Sequence, residues 1–494
     1  MTDDIPPGAT RLELWLGNQG RRIGLIAAPV VFIVLLVAPL PGLTAPAHRL
    51  LAVVGLATVL WVTEAVPLAA TALLAPALCV VFGVGGAGAI FAPFGSPTTF
   101  LFIGMFIVGL AMQKHGLDRR VALTVLCWPG IARSPTAMFA ALAALTAALS
   151  MWMSNIAAAA VMIPIGLGVL GVNPGWGGEP RHQGALVLLI AFSASMGGLA
   201  TPVGTPPNLI GLSLLEEMTG RKMHFFEWMG QTLPLSAALV AFLVWRLRPS
   251  TVPVDPASTR AELARARAAL GARTPGETST AAVFLGAVTL WVYPGLVEML
   301  TGGKTWGAGW LEARLPEEMI GLLAGVLLFF LPGGRARGEF AITWTDAVKL
   351  DWSTIVLFGG GVALGRQIFE TGLAEAGGRA IIGFLGQPSL VAVVLTAVGA
   401  SMVLSTLTSN TASANVVVPM MLSVALAARV EPAPVALAAC LACSFGNSLP
   451  ISTGTNALAY GTGHVRLPDM MRHGFWLDAV GAILVAATVL WLVD

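Results

Sequence analysis

Apolar runs of about 20 residues follow one another along this chain of 494 residues, and a run of that length is what about 30 Å of hydrocarbon requires of an α-helix. Inside a bilayer no water pairs with exposed N–H and C=O groups, so each run must close its own backbone hydrogen bonds, as a helix does. The expected fold is therefore an all-α integral membrane protein. Composition agrees: 56% of residues are hydrophobic and 11% charged, where a soluble domain carries about 25% charged residues. A soluble enzyme, a disordered chain and a nucleic-acid binder are excluded on those grounds, and the net charge of +2 offers no basic field to attract DNA or RNA.

Eleven crossings are expected, near 24–41, 49–66, 68–85, 98–114, 185–212, 230–247, 279–299, 317–332, 353–369, 434–458 and 474–493. Two further apolar stretches, near 136–170 and 387–428, are broken in the middle by polar residues. Each is too long for one crossing and too interrupted for two, so both are expected to be re-entrant hairpins that enter and leave on one side. The first span is read as a membrane anchor, not a cleaved signal, because the segment before it is long and begins with acids. Most of the 27 Lys and Arg then fall on inner segments if the N-terminus is cytoplasmic and the C-terminus outside. The expected divisions are a cytoplasmic segment 1–23, a first half 24–248, a cytoplasmic linker 249–278 and a second half 279–494. In the linker, Thr259 and Glu262 fit a capping box and Gly271 a helix stop, so a short helix acting as a tether is expected.

The two broken stretches repeat one pattern. Ser154-Asn155 precedes Pro164, and Ser409-Asn410 precedes Pro419, with ten positions from Ser to Pro in both. Each is followed by a span with its own polar break, Gly204-Thr205-Pro206-Pro207-Asn208 in one and Thr453-Gly454-Thr455-Asn456 in the other. Five expected crossings separate the hairpins, an odd number, so the repeats are inverted relative to each other. Inverted repeats with interrupted helices place a substrate site near the membrane midplane. No Lys or Arg stands at a hairpin tip, so a buried anion must be held by helix N-termini, amides and hydroxyls. Unwound carbonyls and hydroxyls near Gly204 and Ser452 are hard oxygen ligands that suit a small cation.

These motifs, together with Trp61-Val62-Thr63-Glu64-Ala65-Val66-Pro67 and Gly474-Phe475-Trp476-Leu477, resemble the divalent anion:sodium symporter family over nearly the whole chain. The resemblance implies a homodimer with a scaffold domain and a moving transport domain. It implies an elevator motion that imports a small divalent anion, a C4 dicarboxylate first among the candidates, with Na+ across the inner membrane. It maps one sodium site to Ser150, Asn155 and Gly204, and a second to Ser405, Asn410 and Ser452. Substrate contacts map to Ser154, Asn155, Thr205, Ser409, Asn410, Thr411 and Thr453. Two positions depart from the family pattern: Ile156 stands where a Thr is usual, and Gly454-Thr455 where Pro-Pro is usual.

Ser150 and Ser405 taken singly read as packing residues, whereas an amide at a hairpin break is costly unless used. Glu64, the acid singled out within an apolar span, is expected to be structural or to snorkel from the inner end. The six histidines lie in loops or at span ends without metal-ligand spacing, and Cys440-x-x-Cys443 has no second ligand pair near it in sequence. A sodium-independent exchanger and a symporter of sulfate or another anion remain alternatives within transport. A channel is disfavoured by the paired hairpins, and an intramembrane enzyme by the lack of a nucleophile or zinc motif in any span.

Overall fold

Serine, threonine and proline punctuate this chain. Thr44, Ser96, Ser134 and Thr274 each accept a hydrogen bond from a backbone N–H in the first turn of a helix that carries proline at its start. Proline has no N–H to waste there, and its fixed φ suits the first turn. The computed structural model describes residues 11–131, 134–173, 180–248, 255–302, 306–334, 336, 338–385 and 388–491. Residues 1–10 of the expected N-terminal segment and 249–254 of the expected linker lie outside the described residues.

The described chain begins with α1 (Arg11–Val37), which starts within the expected segment 1–23 and runs on into the first half, followed by α2 (Ala45–Thr63), α3 (Leu68–Val81) and a short α4 (Ala87–Phe91). The long α5 (Pro97–His115) and the short α6 (Leu117–Leu126) lead to the first hairpin, α7 (Pro135–Ser150) and α8 (Asn155–Gly171). The interrupted span follows as α9 (Pro180–Gly197) and α10 (Pro206–Thr219), and α11 (Phe225–Leu247) closes the half. A linker helix, α12 (Pro256–Ala268), is followed by α13 (Pro275–Thr301), α14 (Trp306–Arg314), α15 (Glu317–Leu327), a four-residue α16 (Trp344–Ala347), α17 (Trp352–Glu370) and α18 (Leu373–Leu385). The second hairpin is α19 (Leu390–Leu407) and α20 (Asn410–Ala428), its interrupted span α21 (Pro432–Ala442) and α22 (Gly454–Gly461), and the last helix α23 (Leu467–Trp491). Among the described residues there is no strand beyond an isolated bridge between Pro332 and Phe340.

The fold is all-helical and membrane-spanning, as the apolar runs require. Nine helices among the described residues are long and apolar enough to cross a bilayer. The arms of the second hairpin are two of these, while α3, α7, α8 and α21 are apolar but shorter. The spans expected over 185–212 and 434–458 are each two helices joined by an unwound segment.

The halves interlock. The first half's α10 packs on α20 and α21, and α22 of the second half packs on α8 and α9. Each interrupted span is therefore seated against the other repeat's elements, which brings the polar breaks together. Elsewhere α5 and α15 approach at backbone distance: a Cβ on Gly325 would lie 2.7 Å from the Gly104 carbonyl oxygen. Small residues permit that closeness, which is how helices gain van der Waals contact where lipid offers no hydrophobic drive.

The Trp61–Pro67 motif is the last turn of α2 and the turn that follows it. The Trp61 indole donates to the Leu68 carbonyl at 3.2 Å, and Glu64 ends α2 in the left-handed region at φ 47° with its side chain exposed. The expected linker helix exists, but its cap is Asp255, which accepts from Ala257 N at 3.0 Å with Pro256 in the first turn, and not Thr259. Thr259 is buried and takes a hydrogen bond from Asn173 Nδ2 at 2.9 Å, while Asn173 Oδ1 accepts from Asp255 N. The helix is thus docked on the first hairpin, more than a tether.

Candidate functional site

At the two hairpin tips and the two span breaks, a hydroxyl stands where the helix restarts. Ser154 Oγ accepts from Ala157 N at 3.3 Å and so begins α8, and Ser409 Oγ accepts from Ala412 N at 3.2 Å and begins α20. Thr205 stands at the N-cap of α10, and Thr453 at that of α22, where its hydroxyl accepts from Asn456 N. All four caps line one cavity of about 380 Å³. Each helix N-terminus carries roughly half a positive charge in unpaired N–H groups, so four together amount to about the charge needed to face a dianion.

The seven residues expected to contact substrate, Ser154, Asn155, Thr205, Ser409, Asn410, Thr411 and Thr453, all line this cavity, as do Gly204 and Ser452. Ser150 and Ser405 are fully buried one layer behind it. Ser150 Oγ donates to Asn155 Oδ1 at 2.7 Å, and Ser405 Oγ to Asn410 Oδ1 at 2.8 Å. Ser405 Oγ also lies 2.6 Å from the Cys443 carbonyl, so its single proton faces two acceptors. At the first tip a Cβ on Gly198 would stand 2.7 Å from Asn155 Oδ1 and 3.0 Å from the Gly204 carbonyl, which puts those oxygens around one small space. Hydroxyl, amide and carbonyl oxygens of this kind are hard ligands that a small cation accepts. Among the described residues there is no group of three His, Cys, Asp or Glu that could hold a metal ion.

Two asparagines hold the breaks open. Asn208 Nδ2 donates to the carbonyls of Gly198 and Thr201 at 2.9 and 2.8 Å. Asn456 Nδ2 donates to those of Gly446 and Leu449 at 3.3 and 2.9 Å. The partners stand 10 and 7 residues earlier in both cases, so the internal repeat extends to individual hydrogen bonds. Both residues stand in the break motifs of the sequence, and their matched place in the two motifs is the signal there for this role.

Other participants were missed. Asp478 on α23 accepts from Gly446 N, Asn447 N, Asn447 Nδ2 and Ser448 Oγ at 2.7 to 3.3 Å, and so fixes the second break. It lies inside the apolar span 474–493, where an acid is the legible signal. Gly474 on the same helix packs onto the Asn447 backbone, which gives the Gly474–Leu477 motif a structural meaning. Ser195 Oγ lies 2.9 Å from Thr455 Oγ1, joining α9 to the second break across the repeats. Lys349 and Asp351, from the connection before α17, also line the cavity, although no cation stands at either tip itself. Cys440 is a packing residue: a Cβ on Gly211 would lie 2.6 Å from its sulfur.

A model of the sodium:sulfate symporter transmembrane region matches residues 19–493. The chain is 31% identical to the sodium-dependent dicarboxylate transporter SdcS of Staphylococcus saprophyticus, over 96% of this chain and 92% of that one. It is 29% identical to the SdcS protein of Staphylococcus aureus strain MRSA252, with the same coverage. Among solved structures, the Alcanivorax borkumensis YdaH transporter superposes with a TM-score of 0.58 at 14% identity, over 97% of this chain and 98% of that one, a likeness of fold. With a matching family model over nearly its whole length and full-length relatives that are transporters and not enzymes, this chain belongs to the sodium:sulfate symporter family.

Proposed function

We propose that the chain is a secondary active transporter that imports a C4 dicarboxylate with Na+ as the coupled ion. The observation that carries this reading is the convergence of four helix N-termini on one cavity, with a buried serine bonded to the tip asparagine behind each hairpin tip. A dianion loses much hydration on entering such a site, and cations beside both tips offset part of that cost. The full-length relatives named for sodium-dependent dicarboxylate transport support the same reading.

In this reading the cation sites are Ser150, Asn155 and Gly204 at the first tip, and Ser405, Asn410 and Ser452 at the second. The chain acts as a homodimer in the cell membrane, with its N-terminus cytoplasmic and C-terminus outside. The halves 24–248 and 279–494 supply one hairpin each to a transport domain that moves as an elevator against a scaffold. Uptake of labelled succinate into proteoliposomes, with external sodium replaced by choline or potassium, tests the coupling. Uptake should collapse without sodium and speed up under an inside-negative potential if more than two sodium ions accompany each dianion, since each net charge moved gains about 2.3 kcal/mol per 100 mV.

One observation favours a second reading. Lys349 borders the cavity, together with Asp351, and is the cationic residue among its lining that a sodium-independent exchanger would need. Unchanged uptake in choline, with acceleration by internal dicarboxylate, would establish that alternative.

A further inference from the structure

The cavity is chemically lopsided. At the second tip Ser409, Asn410 and Thr411 all carry polar groups, whereas at the first Ser154 and Asn155 are followed by Ile156. Ile156 occupies the first turn of α8 and is 49% exposed, a large apolar side chain presented to the cavity that it lines.

Its partner is the other irregular residue of the site. A Cβ on Gly454 would overlap Ile156 Cδ1 and stand 2.7 Å from Ile156 Cγ1, with nothing else within 4 Å. Real Cβ atoms do not approach so closely, so Ile156 uses space that exists because position 454 is glycine. The same places in the other repeat are held by Thr411 and Pro206, a small polar residue and a bulky one. The two departures from the family pattern, far apart in sequence, are thus one contact across the repeats.

The neighbours of Gly454 are committed elsewhere. Thr455 Oγ1 lies 3.0 Å from Thr453 Oγ1 and 2.9 Å from Ser195 Oγ. Those hydroxyls partner one another beneath the glycine, and the isoleucine lies over it.

We propose that Ile156 and Gly454 form a single specificity element, an apolar ridge that makes the site select dicarboxylates with an unhydroxylated carbon chain against the first tip. The second tip grips one carboxylate with the full set of amide and hydroxyl donors. The carbons beside the first tip meet methyl and methylene groups. A hydroxyl on those carbons is desolvated there without a partner, and a tetrahedral oxyanion such as sulfate has no apolar part to set against the ridge. This inference rests on the dicarboxylate reading above and names the subclass of substrate.

The test is sodium-dependent succinate uptake in proteoliposomes, competed by unlabelled succinate, methylsuccinate, malate and sulfate. Wild type should be inhibited by succinate and methylsuccinate in preference to malate and sulfate. Ile156→Thr should narrow the preference for succinate over malate by about two- to tenfold, the worth of one neutral hydrogen bond, and should weaken methylsuccinate. Gly454→Ala should impair transport, and Ile156→Ala in the same chain should restore it, because that change removes both atoms the new Cβ would strike. An unchanged succinate-to-malate ratio in Ile156→Thr overturns the proposal whether or not the Gly454 variants fold. Normal transport by Gly454→Ala overturns the steric coupling. If wild type carries no C4 dicarboxylate at all, the function proposed above fails and this inference with it, whereas normal succinate transport with unaltered selectivity refutes the inference alone.

Discussion

The two hairpin tips share one construction and then diverge. Ser150 to Asn155 and Ser405 to Asn410 are the same hydrogen bond at the same spacing, at 2.7 and 2.8 Å. The breaks beside them are stapled by Asn208 and Asn456 in the same register. What secures the breaks from outside is different. In the first, Trp228 Nε1 donates to the Leu199 carbonyl at 3.0 Å and Ser236 Oγ to the Met196 carbonyl at 2.8 Å, both neutral donors on α11. In the second, the carboxylate of Asp478 on α23 draws in backbone and side-chain N–H groups. The shared parts provide what any small anion or cation needs, namely helix N-termini and clustered oxygens. The unshared parts place an acid behind the second break and an apolar ridge at the first tip, and these features let two repeats of one plan do unequal work.

The largest effect should come from removing what the tips share. Asn155→Ala and Asn410→Ala should each abolish transport while the protein still inserts and purifies as a monodisperse species, because each change takes an amide from a helix break and spares the packing. Uptake per amount of purified protein measures this. Near-normal flux in one variant would show that the tips are not equivalent even at their common residue.

A smaller effect should expose the difference. Asp478→Asn keeps the shape but removes the charge and puts a donor NH2 where one accepting oxygen stood, a loss of about 1.5–3 kcal/mol at the second break. The sodium concentration for half-maximal uptake should rise by about tenfold or more, with little change in succinate dependence at saturating sodium. Ser236→Ala, the neutral counterpart at the first break, should shift sodium dependence by less. Equal shifts would mean that the carboxylate acts only as a structural fastener.

The smallest effect lies outside both repeats' machinery and serves as a control. Asp346 accepts from Lys114 Nζ at 2.7 Å. Partial burial pushes its carboxyl up, but the hydrogen bonds from Lys114 and Thr343 outweigh this and hold it at about 2. A depressed carboxyl stabilises the fold fully above the ordinary aspartate range and loses that contribution as pH falls through about 2. With the Lys114 side chain 33% exposed, solvent screening limits the pair to about 1 kcal/mol or less. Asp346→Asn should therefore lower the melting temperature slightly at every pH from 5 to 8, by an amount that shrinks in high salt, and should leave both tips' selectivity intact.

Much of this was legible in the chain because bilayer chemistry leaves few options. Apolar runs of fixed length had to be helices, and Ser-Asn pairs at matched distances from Pro164 and Pro419 announced a repeat. Residues of the repeat were found for the same reason: Ser, Asn, Gly and Thr at breaks in apolar helices are conspicuous against leucine and alanine. Asp478 and Lys349 were passed over because each belongs to a segment that carries no break, and Ser195 because it partners the break of the opposite repeat and not its own; the importance of all three depends on which break they lie against. The docking of α12 was hidden likewise, since Asn173 and Thr259 meet only in the folded chain.

The sequence by itself determined the helices, their interruptions and the internal repeat, because backbone hydrogen bonding in hydrocarbon is a local constraint that each segment must satisfy alone. Tertiary structure decided which interrupted segment faces which tip. The Ile156 to Gly454 contact, the clasp of Asp478 on Gly446 and Asn447, and the meeting of four helix N-termini at one cavity all join residues from different segments. Their common physical reason is the interlocking of the two halves, which seats each broken helix against the opposite repeat and makes one site from two incomplete ones.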